Sequence, residues 1–185
     1  MRARHPDRLP RLWLMTDERL GERVWPALAA LPRGSGVVFR DYATPLAERR
    51  ARFARVCAVA RRRGLVLVRA GDVPMRREAG VHNGRGRGLR TASAHSPAEL
   101  VAARRSGADL VFVSPVFATR SHLGARTLGP VRLGLLLRRA ALPAIALGGM
   151  NARSFRRLRG LGLHGWAAID GLSDRTAPSS TGSTT

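Results

Sequence analysis

Short runs of apolar residues alternate with longer amphipathic segments along most of this chain. Strands that are buried on both faces have continuous apolar sequences, and strands that alternate with helices are typical of a parallel sheet. The runs predict eight strands, at residues 12–15, 36–42, 65–68, 81–82, 89–94, 110–113, 142–147 and 165–169. This order predicts an α/β protein with a (β/α)8 TIM barrel, and a doubly wound open sheet is the alternative that the pattern leaves.

Segments with helical periodicity follow most of the predicted strands. The clearest is Pro45–Arg63, which places Phe53 and Val56 on one face and arginines on the other, and ends at Gly64. Further helices are predicted at residues 22–31, 98–105, 131–140 and 151–161.

The region of residues 70–88 leaves little room for helices. A short helical turn fits at 74–79, and no helix fits at 83–88 before the next strand. We therefore predict a small barrel with shortened or missing helices around residues 70–88. Missing helices would expose strand faces that a partner subunit could cover, so we expect a homodimer.

The length of 185 residues suits one domain with a substantial core. We expect a flexible arm over residues 1–10, the barrel over 11–172 and a disordered tail over 173–185, where Ser, Thr, Gly and Pro dominate. No apolar run approaches the roughly 18 residues that a membrane span needs, and no signal peptide is visible. The single cysteine, Cys57, excludes an internal disulfide. A cytoplasmic protein without membrane contacts is expected.

The formal net charge is +21, and all 33 basic residues are arginine. Such a charge favours phosphate-rich partners, including nucleic acid. A genome rich in G and C would also replace lysine by arginine without any function. The arginines are spread along the chain and are not interleaved with aromatic residues, so nucleic-acid binding is the less favoured interpretation.

The stretch Asp109–Pro130 combines a strand with an anion-binding loop. The apolar run at 110–113 leads into a loop that holds Thr119, Ser121 and His122. Ligands of parallel α/β proteins bind at the carboxyl ends of the strands, and hydroxyls beside a cation suit an anion. The sequence therefore predicts an anion site in this loop.

A glycine pair, Gly148 and Gly149, ends the seventh predicted strand, and Asp170 ends the eighth. Glycine lets backbone amides approach a phosphate, and barrels often bind phosphate at the loops after strands seven and eight. A tight turn that needs positive φ is the other explanation of the pair. A phosphate site is the prediction that agrees with their place in the strand order.

Six segments in this order resemble the thiamine-phosphate synthase and TenI family. The segments are LWLMTD, VVFRDY, GVHNG, ASAHSPAEL, DLVFVSPVFATRSH and PAIALGGMN, and the likeness as a whole runs from Leu12 to Leu172. The resemblance implies a (β/α)8 barrel and an enzyme of thiamine biosynthesis. The synthase couples hydroxymethylpyrimidine diphosphate to thiazole phosphate and releases pyrophosphate with the help of magnesium.

The resemblance also implies roles for residues at matching positions. Arg40 would contact the diphosphate and Ser93 the pyrimidine substrate, and with His122 they form the expected catalytic set. Residues expected to bind substrate or phosphate are Arg40, Tyr42, Arg69, Ser93, Thr119, Ser121, His122, Gly148, Gly149, Ile169 and Asp170.

Several residues depart from the family pattern. Val38 and Tyr42 stand where the family has Gln and Lys, His122 stands where it has a loop Lys, and Asp170 replaces a Ser.

The metal site departs further, because the family's two metal-binding carboxylate positions fall near Arg69 and in the 85–87 stretch. Asp72 is the nearest carboxylate, so no metal ligand set is retained although the family implies magnesium. One hypothesis is that Arg69, Arg85 and Arg87 supply positive charge instead.

Three functions follow from these observations. The first is a thiamine-phosphate synthase-like transferase with a degenerate metal site. The second is a TenI-like thiazole tautomerase, or a non-catalytic thiazole-phosphate binder with a regulatory role; the TenI histidine position is Ser114 here. The third is nucleic-acid binding. His82 and His95 are general acid–base candidates, but a packed or hydrogen-bonded role is favoured for both.

Overall fold

A computed structural model of the protein describes residues 9–118 and 126–169. Within these ranges eight parallel strands pair in chain order, and the last pairs with the first to close a barrel. The strands are β1 Leu12–Met15, β2 Gly36–Phe39, β3 Val66–Ala70, β4 Gly80–His82, β5 Leu89–Ala94, β6 Leu110–Val113, β7 Ala144–Ala146 and β8 Gly165–Ala168. Closure confirms the predicted (β/α)8 barrel and excludes the open sheet.

The helices lie outside the strands. A 3-10 helix spans Glu18–Arg23, and the α-helices are α1 Val24–Ala30, α2 Leu46–Arg63, α3 Pro97–Arg105, α4 Gly129–Leu137 and α5 Ala152–Arg156. In the part of the chain that the structure describes, no helix is both long enough and apolar enough to cross a membrane.

Helix α5 is shorter than the sequence predicted. Asn151 and Ser154 form a capping box at its start, as expected for a helix N-terminus. The helix ends at Arg156 and turns follow, whereas the prediction extended it to Leu161. Gly160, with a φ of 89°, lies in the left-handed region and cannot continue the helix. The helical turn predicted at 74–79 is also replaced, by a non-helical turn at 76–77.

Alternation along each strand separates the barrel interior from the layer beneath the helices. Trp13, Val38 and Phe112 belong to the interior cluster, whereas Phe39 and its neighbours pack against α2 in an outer cluster. Trp13 meets Phe112 edge to face with ring centroids 5.2 Å apart. Its indole N–H donates to the Pro10 carbonyl at 2.9 Å, which closes the lower end of the barrel.

The side of the barrel that lacks helices is covered by its own loops. Residues 71–79 and 83–88 contain no helix, and only for 83–88 did the sequence predict this, yet the outward-facing Val81 is only 1% exposed. A Cβ at Gly86 would lie 2.5 Å from a Val81 methyl carbon, so this loop packs directly on the strand. The expectation of exposed strand faces was wrong, and a homodimer no longer follows from it.

Gly36→Ala should destabilise the fold. An added Cβ would lie 2.2 Å from the indole ring of Trp13, which is fully buried and unable to move aside. We expect a loss of about 1–3 kcal/mol in the free energy of unfolding, measured by urea denaturation. Gly134→Ala is the matched control. This position in α4 has room for a Cβ, so the substitution should stabilise by up to about 1 kcal/mol. Equal effects of the two substitutions would contradict the packing argument.

Candidate functional site

Polar side chains gather where the strands end at the upper mouth of the barrel. Arg40 lies two residues beyond Val38 and therefore continues the interior face of β2. His82 ends β4, and its ring packs edge to face on Phe112 inside the barrel at 5.3 Å. Ser93 on β5 contacts His82 from the neighbouring strand. The structure thus brings together two predicted site residues, Arg40 and Ser93, around a buried histidine.

Arg40 is held in place by the end of β1. Its backbone N–H donates to the Thr16 hydroxyl at 3.0 Å, and its Nε donates to the Thr16 carbonyl at 3.1 Å. The terminal Nη2 lies 3.7 Å from the Asp17 carboxylate. Burial lowers the pKa of Arg40, and the nearby Asp17 opposes that shift. The guanidinium is therefore fixed at its stem while part of its end remains accessible.

Asp41 supports the position of Arg40 from the outer face of β2. Its carboxylate is fully buried and accepts a hydrogen bond from the Thr16 hydroxyl at 2.8 Å. Arg52 on α2 lies 2.7 Å from the other carboxylate oxygen, although its N–H does not point at that oxygen. Burial raises the pKa of Asp41. Thr16 and Asp41 lie in the segments LWLMTD and VVFRDY, but the sequence analysis did not assign them to the site.

His82 is the centre of a buried hydrogen-bonded chain. Its Nδ1 lies 3.0 Å from the Thr91 hydroxyl, and its Nε2 lies 3.1 Å from the Ser93 hydroxyl. Burial, with a smaller effect from the charge of Arg40, lowers the pKa of His82 from its usual 6.5 to about 3. The ring is therefore neutral at physiological pH. This supports the hydrogen-bonded role that the sequence favoured.

Asn83 completes the setting of Ser93. Its side-chain oxygen accepts the Ser93 backbone N–H at 2.8 Å, and its amide nitrogen donates to the Ser93 hydroxyl at 3.2 Å. Its φ of 47° lies in the left-handed region, which asparagine tolerates better than most residues. The sequence prediction omitted Asn83, and its place directly after a strand-end histidine was the available signal.

Tyr42 and His95 lie further out. Tyr42 is 56% exposed, and the Arg49 guanidinium lies 5.6 Å from its ring centroid. Burial of part of the ring raises the pKa of Tyr42. His95 is exposed and pairs with Glu99 at 2.9 Å on α3, which is a local contact at the helix start. Tyr42 therefore lies at the rim of the mouth, and His95 lies outside the mouth.

Arg69 does not point into the mouth. It pairs with Phe39 in the sheet register and so faces outward, where it is 2% exposed. Its guanidinium donates to Glu78 at 3.0 Å, to the Arg85 carbonyl at 2.7 Å and to the Gly71 carbonyl. These hydrogen bonds attach two loops to the barrel, and they leave the Arg69 guanidinium unavailable to a phosphate.

The other two arginines of the hypothesis do not converge with Arg69. Arg85 lines a cavity beside α3 that Asn83 and Ser93 also border, and Arg87 lies two residues before the amino end of β5. These positions do not support the idea that the three arginines together replace a metal ion.

Gly148 and Gly149 are required by close packing between two loops. Their φ values are 93° and 61°, both in the left-handed region. A Cβ at Gly148 would lie 2.9 Å from Pro115 Cα, and one at Gly149 would lie 2.5 Å from the Ala118 carbonyl oxygen. The turn explanation therefore accounts for both glycines, and phosphate binding by them stays a prediction.

Part of the predicted phosphate site lies outside the described residues. Thr119, Ser121, His122 and Asp170 are in this group. Ile169 follows β8 and is partly buried against the interior cluster.

The two carboxylates in the loop between β3 and β4, Asp72 and Glu78, are engaged by other groups of the protein. Magnesium in enzymes that act on phosphates is usually held by one or two carboxylates together with the substrate. Asp72 accepts the Arg85 backbone N–H at 2.7 Å, and Glu78 is engaged by Arg69. Over residues 9–118 and 126–169, no three His, Cys, Asp or Glu side chains are grouped as a metal ion requires. Both carboxylates are thus engaged by the protein itself, and a degenerate metal site stays a prediction.

These features define a parallel (β/α)8 barrel whose polar residues converge at the carboxyl ends of its strands. The chain belongs to the thiamine monophosphate synthase family, whose model matches residues 14–172.

Individual relatives agree with this assignment. A thiamine-phosphate synthase of Lactococcus lactis subsp. cremoris is 35% identical over 81 residues, which cover 43% of this chain and 37% of that protein. One of Methanococcus maripaludis is 32% identical over 44% of this chain and 39% of its own length. The chain thus matches less than half the length of these curated relatives.

A solved structure supports the fold. Thiamine phosphate pyrophosphorylase from Pyrococcus furiosus superposes with a TM-score of 0.74 at 23% sequence identity, over 86% of this chain and 85% of that one.

The buried His82 should make the protein sensitive to acid. Its pKa is about 3 in the folded state and 6.5 normally. Between these two pH values the unfolded chain therefore binds a proton at this histidine and the folded chain does not. Stability from this group is present above pH 6.5 and is lost as the pH falls towards 3. His82→Gln should flatten the fall in unfolding free energy between pH 6.5 and 5, measured by urea denaturation.

Val38→Ala provides the control for that experiment, because it weakens the packing of the interior cluster without removing a titratable group. It should lower the free energy of unfolding but leave its pH dependence as steep as in the wild type. If His82→Gln and the wild type lose stability in parallel, His82 is not held neutral.

Proposed function

We propose that this protein couples a pyrimidine diphosphate to a thiazole phosphate, as the thiamine-phosphate synthases do. The observation that carries the proposal is the braced Arg40 at the mouth of the barrel, together with the Ser93 hydroxyl at the same mouth, which His82 and Asn83 orient. An arginine whose stem is fixed offers a preorganised cation for a diphosphate. The family match over residues 14–172 supports the same reaction.

In this proposal one group of residues binds the pyrimidine diphosphate and another group binds the thiazole phosphate. Arg40 binds the diphosphate and stabilises the negative charge that grows on pyrophosphate as its bond to the pyrimidine methylene breaks. Ser93 positions the pyrimidine substrate, and Tyr42 borders the mouth. The thiazole nitrogen then donates its electron pair to the methylene carbon. Thr119, Ser121, His122, Gly148, Gly149, Ile169 and Asp170 are proposed to hold the thiazole phosphate.

A TenI-like binder of thiazole phosphate is the second candidate. Val38 and Tyr42 replace residues that the synthases use, and the described carboxylates offer no metal site. A binder of this kind would recognise thiazole phosphate and ignore the diphosphate. A cytoplasmic location and a degenerate metal site are further parts of the proposal for the synthase, whereas the expected homodimer has lost the argument on which it was based. Nucleic-acid binding finds no added support.

The test is a coupling assay with both substrates, in the presence and absence of magnesium. Arg40→Gln should lower kcat/KM by roughly 10²-fold or more, because an aligned electrostatic contact to the leaving group is lost. Arg62→Gln is the control, since this exposed arginine lies at the end of α2 away from the mouth. It removes the same charge and should leave kcat/KM unchanged.

Calorimetry with each substrate alone separates the two candidates. Binding of thiazole phosphate without diphosphate binding or product would favour the binder. Absence of product under every condition would reject the synthase, and equal losses in Arg40→Gln and Arg62→Gln would reject the assigned role of Arg40.

A further inference from the structure

Helix α4 presents an apolar ridge to solvent. Val131 is 77% exposed and Leu135 is 60% exposed, and these are the largest exposed fractions among the large hydrophobic residues described as exposed. Their spacing of four residues places them on one face of the helix. Single exposed apolar residues are ordinary, but two aligned on one helix form a stripe that has no partner within the described chain.

A groove lies on each side of this ridge. The first, of about 480 Å³, runs between α4 and the turn at 160–162, with Leu142 and Ala144 on its floor. It is open because α5 ends at Arg156 and does not extend over it. The second, of about 470 Å³, runs between α4 and the start of α3. Leu135 lines both grooves, so the ridge and the grooves form one surface, which we call the α4 surface.

The charges on the α4 surface have one sign. Arg138 lines both grooves, and Arg132 and Arg139 line the second. No Asp or Glu lines either groove, whereas the cavity on the other side of α3 contains Glu99 among its arginines. A second copy docking through the same surface would bring these arginines against their equivalents. Charge complementarity therefore selects an acidic partner.

We propose that the α4 surface binds an amphipathic, acidic helix of a partner protein. The apolar face of that helix would lie along the Val131–Leu135 ridge, with side chains three or four residues apart entering the two grooves. Its acidic flanks would meet Arg132, Arg138 and Arg139. The surface lies on the outer layer of the barrel, so this interaction is independent of the reaction proposed for the mouth.

The probe is a fluorescently labelled 18-residue helical peptide with leucine at every third or fourth position and glutamate elsewhere. A peptide with lysine in place of glutamate is its control. Fluorescence anisotropy with the full chain should show binding of the acidic peptide, weakened by salt, and no binding of the lysine peptide. Leu135→Glu should weaken the acidic peptide at least tenfold. Leu46→Glu, which changes a 45% exposed residue on α2 by the same charge, should have no effect.

Three results would overturn the proposal. Equal binding of the two peptides would show a non-specific apolar contact, and equal loss in Leu135→Glu and Leu46→Glu would show diffuse attraction to the arginines. Sedimentation that reveals a dimer of the wild type, dissociated by Leu135→Glu, would assign the surface to a second copy.

Discussion

Closure of the barrel by pairing of β8 with β1 is the constraint on which the site depends. Once the sheet is closed, every second residue of a strand faces a filled interior and the others face the helices. The end of β2 shows the result: Arg40 continues the interior face of Val38, while Asp41 continues the outer face of Phe39. Neighbours in sequence thus become a cation at the mouth of the barrel and a buried support that acts through Thr16.

The strand order could be predicted from the sequence because each strand is a compact apolar run that ends in polar residues. The roles of single side chains were harder to predict. Arg40 and Arg69 both stand at strand ends, yet only one lies at the mouth, because their strands place them on opposite faces. The alternation of side chains along each strand predicts these opposite faces and would have excluded Arg69 from the site. The end of α5 and the packing that requires Gly148 and Gly149 depend on contacts between loops, which local patterns do not contain.

The mouth of the barrel and the loops beside it use their polar residues differently. His82, Asn83 and Ser93 form a hydrogen-bonded set at the mouth, and the charge of Arg40 acts on His82. In the loops after β3 and β4, Asp72 and Glu78 hold the backbone and Arg69 in place. The described polar groups at the mouth are therefore guanidinium, hydroxyl, imidazole and amide groups.

The contacts of Arg69 affect how the two neighbouring loops move as well as where they lie. Its guanidinium contacts Gly71 and Glu78 in one loop and Arg85 in the next, so one side chain joins the two segments that stand where helices would cover the barrel. Segments tied through a common contact open together, as one cooperative unit. The hydrogen-bonded amides of residues 71–79 and 83–88 should therefore exchange with solvent through openings of one common free energy, and detaching the loops would uncover β4 in one event.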